Sequence, residues 1–164
     1  MAATAFAESR MNIQLRALRP SNAAAMQLLF CAAINAIDQS LYSSAEKQAW
    51  IGPQPKDWCT LLSAEKGLGL FSGSQLLGFI IYQPQGYLNC LYTDPAYQGQ
   101  GIASELHRAF LRAVKANNVE QVWVEASLAA EPVFRHWGYK AIKRQHIERA
   151  GEFLTNSVMV KAPV

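Results

Sequence analysis

Apolar and polar residues alternate through "MNIQLRAL", the period of a half-buried strand, and this segment predicts the first strand. Pro20 and Ser21 then open a helix with Ser21 as N-cap, and Met26, Leu29, Phe30, Ala33 and Ile37 fall on one face of it. "YSSAEKQAW" carries Ser43-x-x-Glu46, a capping box that predicts a short second helix, and "GPQPKDW" reads as a proline-rich loop. "GLGLF" and "QLLGFIIYQ" flank "SGS" as a hairpin, and "YLNCLYT" is a further strand. Ile102, Leu106, Ala109, Phe110 and Ala113 form a core stripe in a helix from Ile102 to Ala116, which Asn117-Asn118 ends. "VWVEA" is a strand. "EPVFRHW" is a short helix with Pro132 in its first turn and Gly138 as C-cap. Two strands, "YKAIKRQHIER" and "EFLTNSVMV", finish the chain around a turn at Ala150-Gly151.

The resulting order is β-α-α-β-β-β-α-β-α-β-β. Strands that follow one another without intervening helices argue for a mixed, mostly antiparallel sheet of six to seven strands flanked by about four helices, an α/β arrangement of α+β character. The chain has 164 residues, 51% of them hydrophobic, enough for one compact domain, expected over residues 11–164 behind a flexible tail at 1–10. Fifteen basic residues against 12 acidic give a net charge of +3, too weak a field to argue for a nucleic-acid binder. Arg135, Lys140, Lys143, Arg144 and Arg149 crowd one segment, which reads as a solvated strand and loop unless an acidic ligand lies beside it. Three cysteines with no Cys-x-x-Cys, and three histidines without ligand spacing, predict neither a disulfide framework nor a metal site and fit the reducing cytoplasm. No apolar run approaches membrane-spanning length, so no membrane partner is expected.

The chemistry concentrates in "LYTDPAYQGQGIASELHRAF". Gly99 and Gly101 leave the backbone bare just where a helix begins, and the first turn of a helix offers unpaired N–H groups and the positive end of its dipole. Such a turn suits a phosphate, although an ordinary glycine-containing helix start looks the same. A P-loop requires Gly-Lys-Ser/Thr, which is absent. A dinucleotide fold requires a third glycine, where Ser104 stands, although Glu125 at the end of the next strand imitates its ribose-binding acid. The remaining alternative is the pyrophosphate loop of acyl-CoA-dependent acyltransferases.

Gln98-Gly99-Gln100-Gly101-Ile102-Ala103 matches the Gln/Arg-x-x-Gly-x-Gly/Ala signature of the GNAT superfamily of N-acetyltransferases. The chain resembles that family from about Asn12 to Lys161, through the strand and helix around the signature, "VWVEAS" and "EPVFRHWGY". "LYSSAEKQAW" and "GEFLTNSVMV" resemble segments of small bacterial members. The resemblance implies a GNAT fold with a V-shaped splay at the fourth strand. It implies acetyl-CoA as co-substrate and direct transfer of acetyl to a primary amine of a small molecule or peptide. Leu91, Tyr92 and Thr93 would pair with the pantetheine arm, and amides from Gln98 to Ala103 would hold the pyrophosphate, with Ser127 and Phe134 beside the cofactor.

Two positions depart from the family pattern. Phe134 stands where the acid tyrosine usually is, and Asn89 where many relatives have aspartate. Water linked to Asn89, Tyr92 or Ser127 is then the expected proton acceptor. Tyr42 is the candidate for a relocated acid or an acceptor-site hydroxyl, its other reading being an anchor for the second helix. Trp50 and Trp58 are either an aromatic wall for an amine or packing residues, and Cys90 is expected to be a structural cysteine. Those departures keep open a GNAT-fold module that binds acyl-CoA without turnover, and a nicotinamide-binding protein stands behind both. The final strands are also open to pairing between subunits, as a homodimer.

Overall fold

The computed structural model describes residues 12–163, so the tail expected over 1–10 lies outside the described residues. The elements are β1 (Ile13–Ala17), α1 (Ala23–Asn35), α2 (Ser44–Ile51), α3 (Trp58–Ala64), β2 (Lys66–Ser72), β3 (Gln75–Tyr82) and β4 (Tyr87–Thr93). They continue with α4 (Ile102–Ala116), β5 (Val122–Ser127), α5 (Glu131–His136), β6 (Lys140–Arg149) and β7 (Glu152–Lys161). One seven-stranded sheet runs in the order β1-β2-β3-β4-β5-β7-β6, the mixed and mostly antiparallel sheet that the sequence predicts. Only β4 and β5 pair in parallel. β6 is an outer strand, the edge that a homodimer built on the final strands would use.

Three local readings are corrected. Pro20–Asn22 form a 3-10 turn, the α-helix starts only at Ala23, and Ser21 caps nothing: Asn22 Oδ1 accepts from the Arg19 N–H instead. Ile34, not Ile37, completes the buried face of α1, because the helix ends at Asn35. The segment after the proline loop is α3, which the sequence reading lacks. Asp57 caps it by accepting from the Thr60 N–H and hydroxyl. Seven residues are too short for a clear 3.6 period, and Pro53 and Pro55 dominate the approach.

The sheet is covered on both faces, which is why β3 reads as an unbroken apolar run. Leu77, Ile80 and Tyr82 enter the core under α4 and α5, whereas Leu76, Phe79 and Ile81 enter the core under α1 and α3. Gly78 lets α4 sit close on the sheet: a Cβ there would stand 2.6 Å from Ile102 Cγ2 and 3.1 Å from the Tyr92 carbonyl oxygen.

Beneath α4, His107 is buried at 4% exposure, stacked on Trp137 with ring centroids 4.3 Å apart. Its Nε2 lies 2.8 Å from the Tyr139 hydroxyl. Burial, with the charges of Lys161 and Arg108 behind it, pushes the imidazole down to about 4. Burial also raises the Tyr139 phenol, so the Tyr139 O–H donates to a neutral ring. The unfolded chain takes up a proton near pH 6.5 that the folded chain refuses until about 4. The imidazole therefore leaves stability untouched above 6.5 and lowers it progressively as pH falls towards 4, by about 3 kcal/mol at most. Thermal melts from pH 8 to 4 should show a steeper loss in the wild type than in His107→Phe. Parallel curves would mean that His107 protonates freely in the fold.

Candidate functional site

β4 pairs with β5 only at Tyr87↔Trp123 and Leu88↔Val124. Beyond these rows β4 stays with β3 to Thr93, while β5 stays with β7 to Ser127, so the two strands splay apart. A β-bulge lies at the root of the splay. Leu88 and Cys90 face consecutive β3 residues, Tyr82 and Ile81, which leaves Asn89 as the extra residue. Residues two apart normally share a face. Here Leu88 enters the core under α4, and Cys90 the core under α1.

On the α4 side the splay opens into a cavity of about 660 Å³. One wall is Leu91, Tyr92 and Thr93, and another is Ser127, Phe134 and Trp137. Its rim is the loop into α4, with Gln98, Gly99, Gly101, Ile102 and Ala103 all lining it. Ten of the eleven residues expected at the cofactor are thus brought together. Gln100 is the exception, since it does not line the cavity. Gly99 and Gly101 both adopt left-handed backbone, at φ 76° and 83°, and a Cβ on Gly99 would meet nothing within 4 Å. Gly101 is the N-cap of α4, and the N–H groups of Gly101, Ile102, Ala103 and Ser104 have no hydrogen-bond partner among the described residues.

On the opposite side lies a second cavity of about 350 Å³, between α2, the α2–α3 loop and the β6–β7 hairpin. Trp50, Asn89, Tyr92, Glu125 and Ser127 line both cavities and so mark where they meet. The Glu125 carboxylate is solvent-open and accepts from the Tyr87 hydroxyl at 3.3 Å and from Gln145 Nε2 at 3.1 Å. The sequence reading gives Glu125 no catalytic role. The period-2 pattern of "VWVEAS", with Val122, Val124 and Ala126 buried, was the available signal that Glu125 faces the other way. Asn89 is the residue that appeared to leave this strand without a carboxylate. Its Nδ2 donates to Glu65 Oε1 at 2.9 Å, which turns Oδ1 away from that partner.

Tyr92 is half-buried, with its ring edge-on to Phe30 at 5.1 Å. Burial drives its phenol far above the ordinary range, against weaker opposing pulls that include a Trp50 hydrogen bond and the Arg149 charge. The hydroxyl keeps its proton and acts as a donor. Ser127 Oγ accepts from the Ala130 N–H, which leaves its own proton free to donate. Burial pushes the Cys90 thiol up to about 11, so it is no nucleophile. Trp58, 2% exposed, donates its indole N–H to Gln27 Oε1 and packs in the core, whereas Trp50 lines the cleft.

Tyr42 lines the second cavity, and main-chain groups hold its hydroxyl. It is 2% exposed, its O–H donates to the Thr155 carbonyl, and its oxygen accepts from the Leu128 N–H. Both functions of the hydroxyl tie α2 to the end of β5 and to β7. Tyr42→Phe should cost about 1–3 kcal/mol by orphaning two backbone groups. It should leave turnover within a few-fold of wild type. A collapse of turnover at unchanged melting temperature would return Tyr42 to the chemistry. Phe134 lines the larger cavity yet is only 3% exposed, with ring edges against Trp137 at 5.4 Å and Tyr139 at 5.0 Å. It is a wall that no solvent reaches, and it carries no proton to give.

The model of the Acetyltransferase (GNAT) domain matches residues 42–159. The uncharacterized N-acetyltransferase YafP of Escherichia coli (strain K12) is 27% identical over 152 residues, 93% of this chain and 97% of its own. A GCN5-related N-acetyltransferase from Rhodopseudomonas palustris superposes with a TM-score of 0.86 at 26% identity, covering 91% of this chain and 94% of its own. PaiA N-acetyltransferase from Thermoplasma acidophilum, solved in complex with coenzyme A, superposes with a TM-score of 0.72 at 18% identity, over 92% and 98%.

Proposed function

Because the chain belongs to the GNAT acetyltransferase family, we propose that it moves an acetyl group from acetyl-CoA to a primary amine by direct transfer in a ternary complex. The observation that carries this reading is the cleft through the splayed sheet, with a helix N-terminus bared by Gly101 on one side and the Glu125 carboxylate where the two cavities meet.

The residues present fit acetyl-CoA. Bare amides from Gly101 to Ala103 suit a pyrophosphate, and the unpaired edge of β4 at Leu91, Tyr92 and Thr93 suits an amide-bearing pantetheine arm. Bound acetyl-CoA supplies an activated thioester; the chain supplies position, a proton acceptor and proton donors. Glu125 takes the proton that the amine must lose before it attacks, either directly or through one water. Asn89 Oδ1, aimed by Glu65, accepts from the amine and orients its lone pair. The Tyr92 hydroxyl and the Ser127 hydroxyl are the donors available for the developing oxyanion and the departing thiolate.

Glu125 weakens the case for a module without turnover, which rested on the lack of a carboxylate at Asn89 and of an acid tyrosine at Phe134. A mostly antiparallel sheet is not the parallel, doubly wound fold of a nicotinamide site. Incubation with acetyl-CoA and a panel of amines, with free thiol as readout, tests the proposal. Amine-dependent thiol release is expected. Tight acetyl-CoA binding with no release for any amine would sink the transferase reading and leave a binding module.

A further inference from the structure

The second cavity carries charges of both signs on its lining. At its junction with the first are acceptors: the Glu125 carboxylate and, in the adjacent row of β7, Asn156. Asn156 Oδ1 is buried and has no hydrogen-bond partner among the described residues. Ser127 and Gln145 both stand opposite Asn156 across the sheet, and Gln145 is the residue that donates to Glu125, so these groups share one neighbourhood. Two cations line the same cavity. Lys56 is held over the rings of Phe30 and Trp58, at 5.5 and 5.3 Å from their centroids. Arg149 ends β6, four residues past Gln145, or about 13 Å along the strand before the side chains shorten the gap. Neither Lys56 nor Arg149 forms an ion pair among the described residues, although Glu152 stands across the hairpin from Arg149. Ile51, Ile147 and Leu154 add apolar side chains to the same lining.

Two cations with no ion pair among the described residues share this cavity with a carboxylate, and together they match a ligand that carries one charge of each sign. We infer that the acceptor is a small primary amine bearing an anionic group, carboxylate or phosphate, held with its amine at Glu125 and its anion between Lys56 and Arg149. This inference rests on the transferase reading for what happens to the amine, but the recognition does not. A polyamine would bring positive charge to both cations, and an alkylamine would leave both unpaired. A volume of about 350 Å³ lies at the small end of ligand sites, the scale of a single amino acid.

The test uses the whole chain with acetyl-CoA and five probes: leucine, 6-aminohexanoate, O-phosphoethanolamine, hexylamine and spermidine. The best anionic amine should exceed hexylamine and spermidine in kcat/KM by about tenfold or more, the scale of one well-placed charge contact. Whether a carboxylate or the phosphate leads identifies the source of the anion. In Arg149→Gln and in Lys56→Gln, each checked for an unchanged melting curve, KM for that probe should rise and its advantage shrink severalfold. Calorimetry of the same probes against CoA-loaded protein separates the two ideas. Anionic amines that bind without being acetylated would sink the transferase reading alone. Hexylamine or spermidine as the best ligand, or a preference indifferent to both substitutions, would overturn the inference.

Discussion

Gly101→Asp is expected to weaken acetyl-CoA binding at least about 100-fold while leaving a folded protein. Two effects add. Gly101 sits at φ 83°, a left-handed conformation that costs a residue with a side chain roughly 1–2 kcal/mol. The new carboxylate also places a negative charge at the amides that the pyrophosphate would use, cancelling the positive end of α4. Gly101→Ala separates the two, because it carries the backbone cost without the charge, and its loss of affinity should be clearly smaller. Titration calorimetry at fixed ionic strength, with a thermal melt as control for folding, gives the comparison. Unchanged affinity in a folded Gly101→Asp variant would remove the pyrophosphate from this loop.

Glu125→Gln should lower kcat by about 100-fold or more, the usual contribution of a positioned base. The amide keeps the shape, and can still meet Tyr87 and Gln145, which reach the carboxylate at 3.3 and 3.1 Å. The affinity for acetyl-CoA and the melting temperature should therefore change little. Losing the base moves the burden of deprotonation to solvent. The variant should then regain rate as pH rises towards the ordinary pKa of the amine, over a range where the wild type has already levelled off. A variant with wild-type kcat, or one whose deficit is the same at every pH, would show that Glu125 does not accept the proton.

The parts of this protein legible in its sequence are those decided by neighbours in the chain. The stripe from Ile102 to Phe110 gave α4, and the apolar runs either side of "SGS" gave the hairpin of β2 and β3. Positive φ at Gly99 and Gly101 follows from a turn that only glycine makes cheaply, so the glycine turn before α4 was readable before any fold was known. α3 was not readable, because a seven-residue helix behind two prolines has its cap at Asp57 and hardly any period.

The site itself was decided across the sheet. No pattern in "YLNCLY" announces that Asn89 is a bulge, since a bulge is a mismatch with a partner strand and not a property of either strand alone. The sequence shows an asparagine in place of an acid. The fold brings Glu65, 24 positions away, onto that asparagine and sets Glu125 where the two cavities meet. It also binds the Tyr42 hydroxyl to the main chain at Thr155, 113 positions along the chain. Periodicity, capping and backbone preference act over a few residues, so the sequence by itself determined the elements and the glycine loop. Strand register and hydroxyl partners depend on which distant segments meet, so only the tertiary structure decided which side chains face the cleft and which are held as structure.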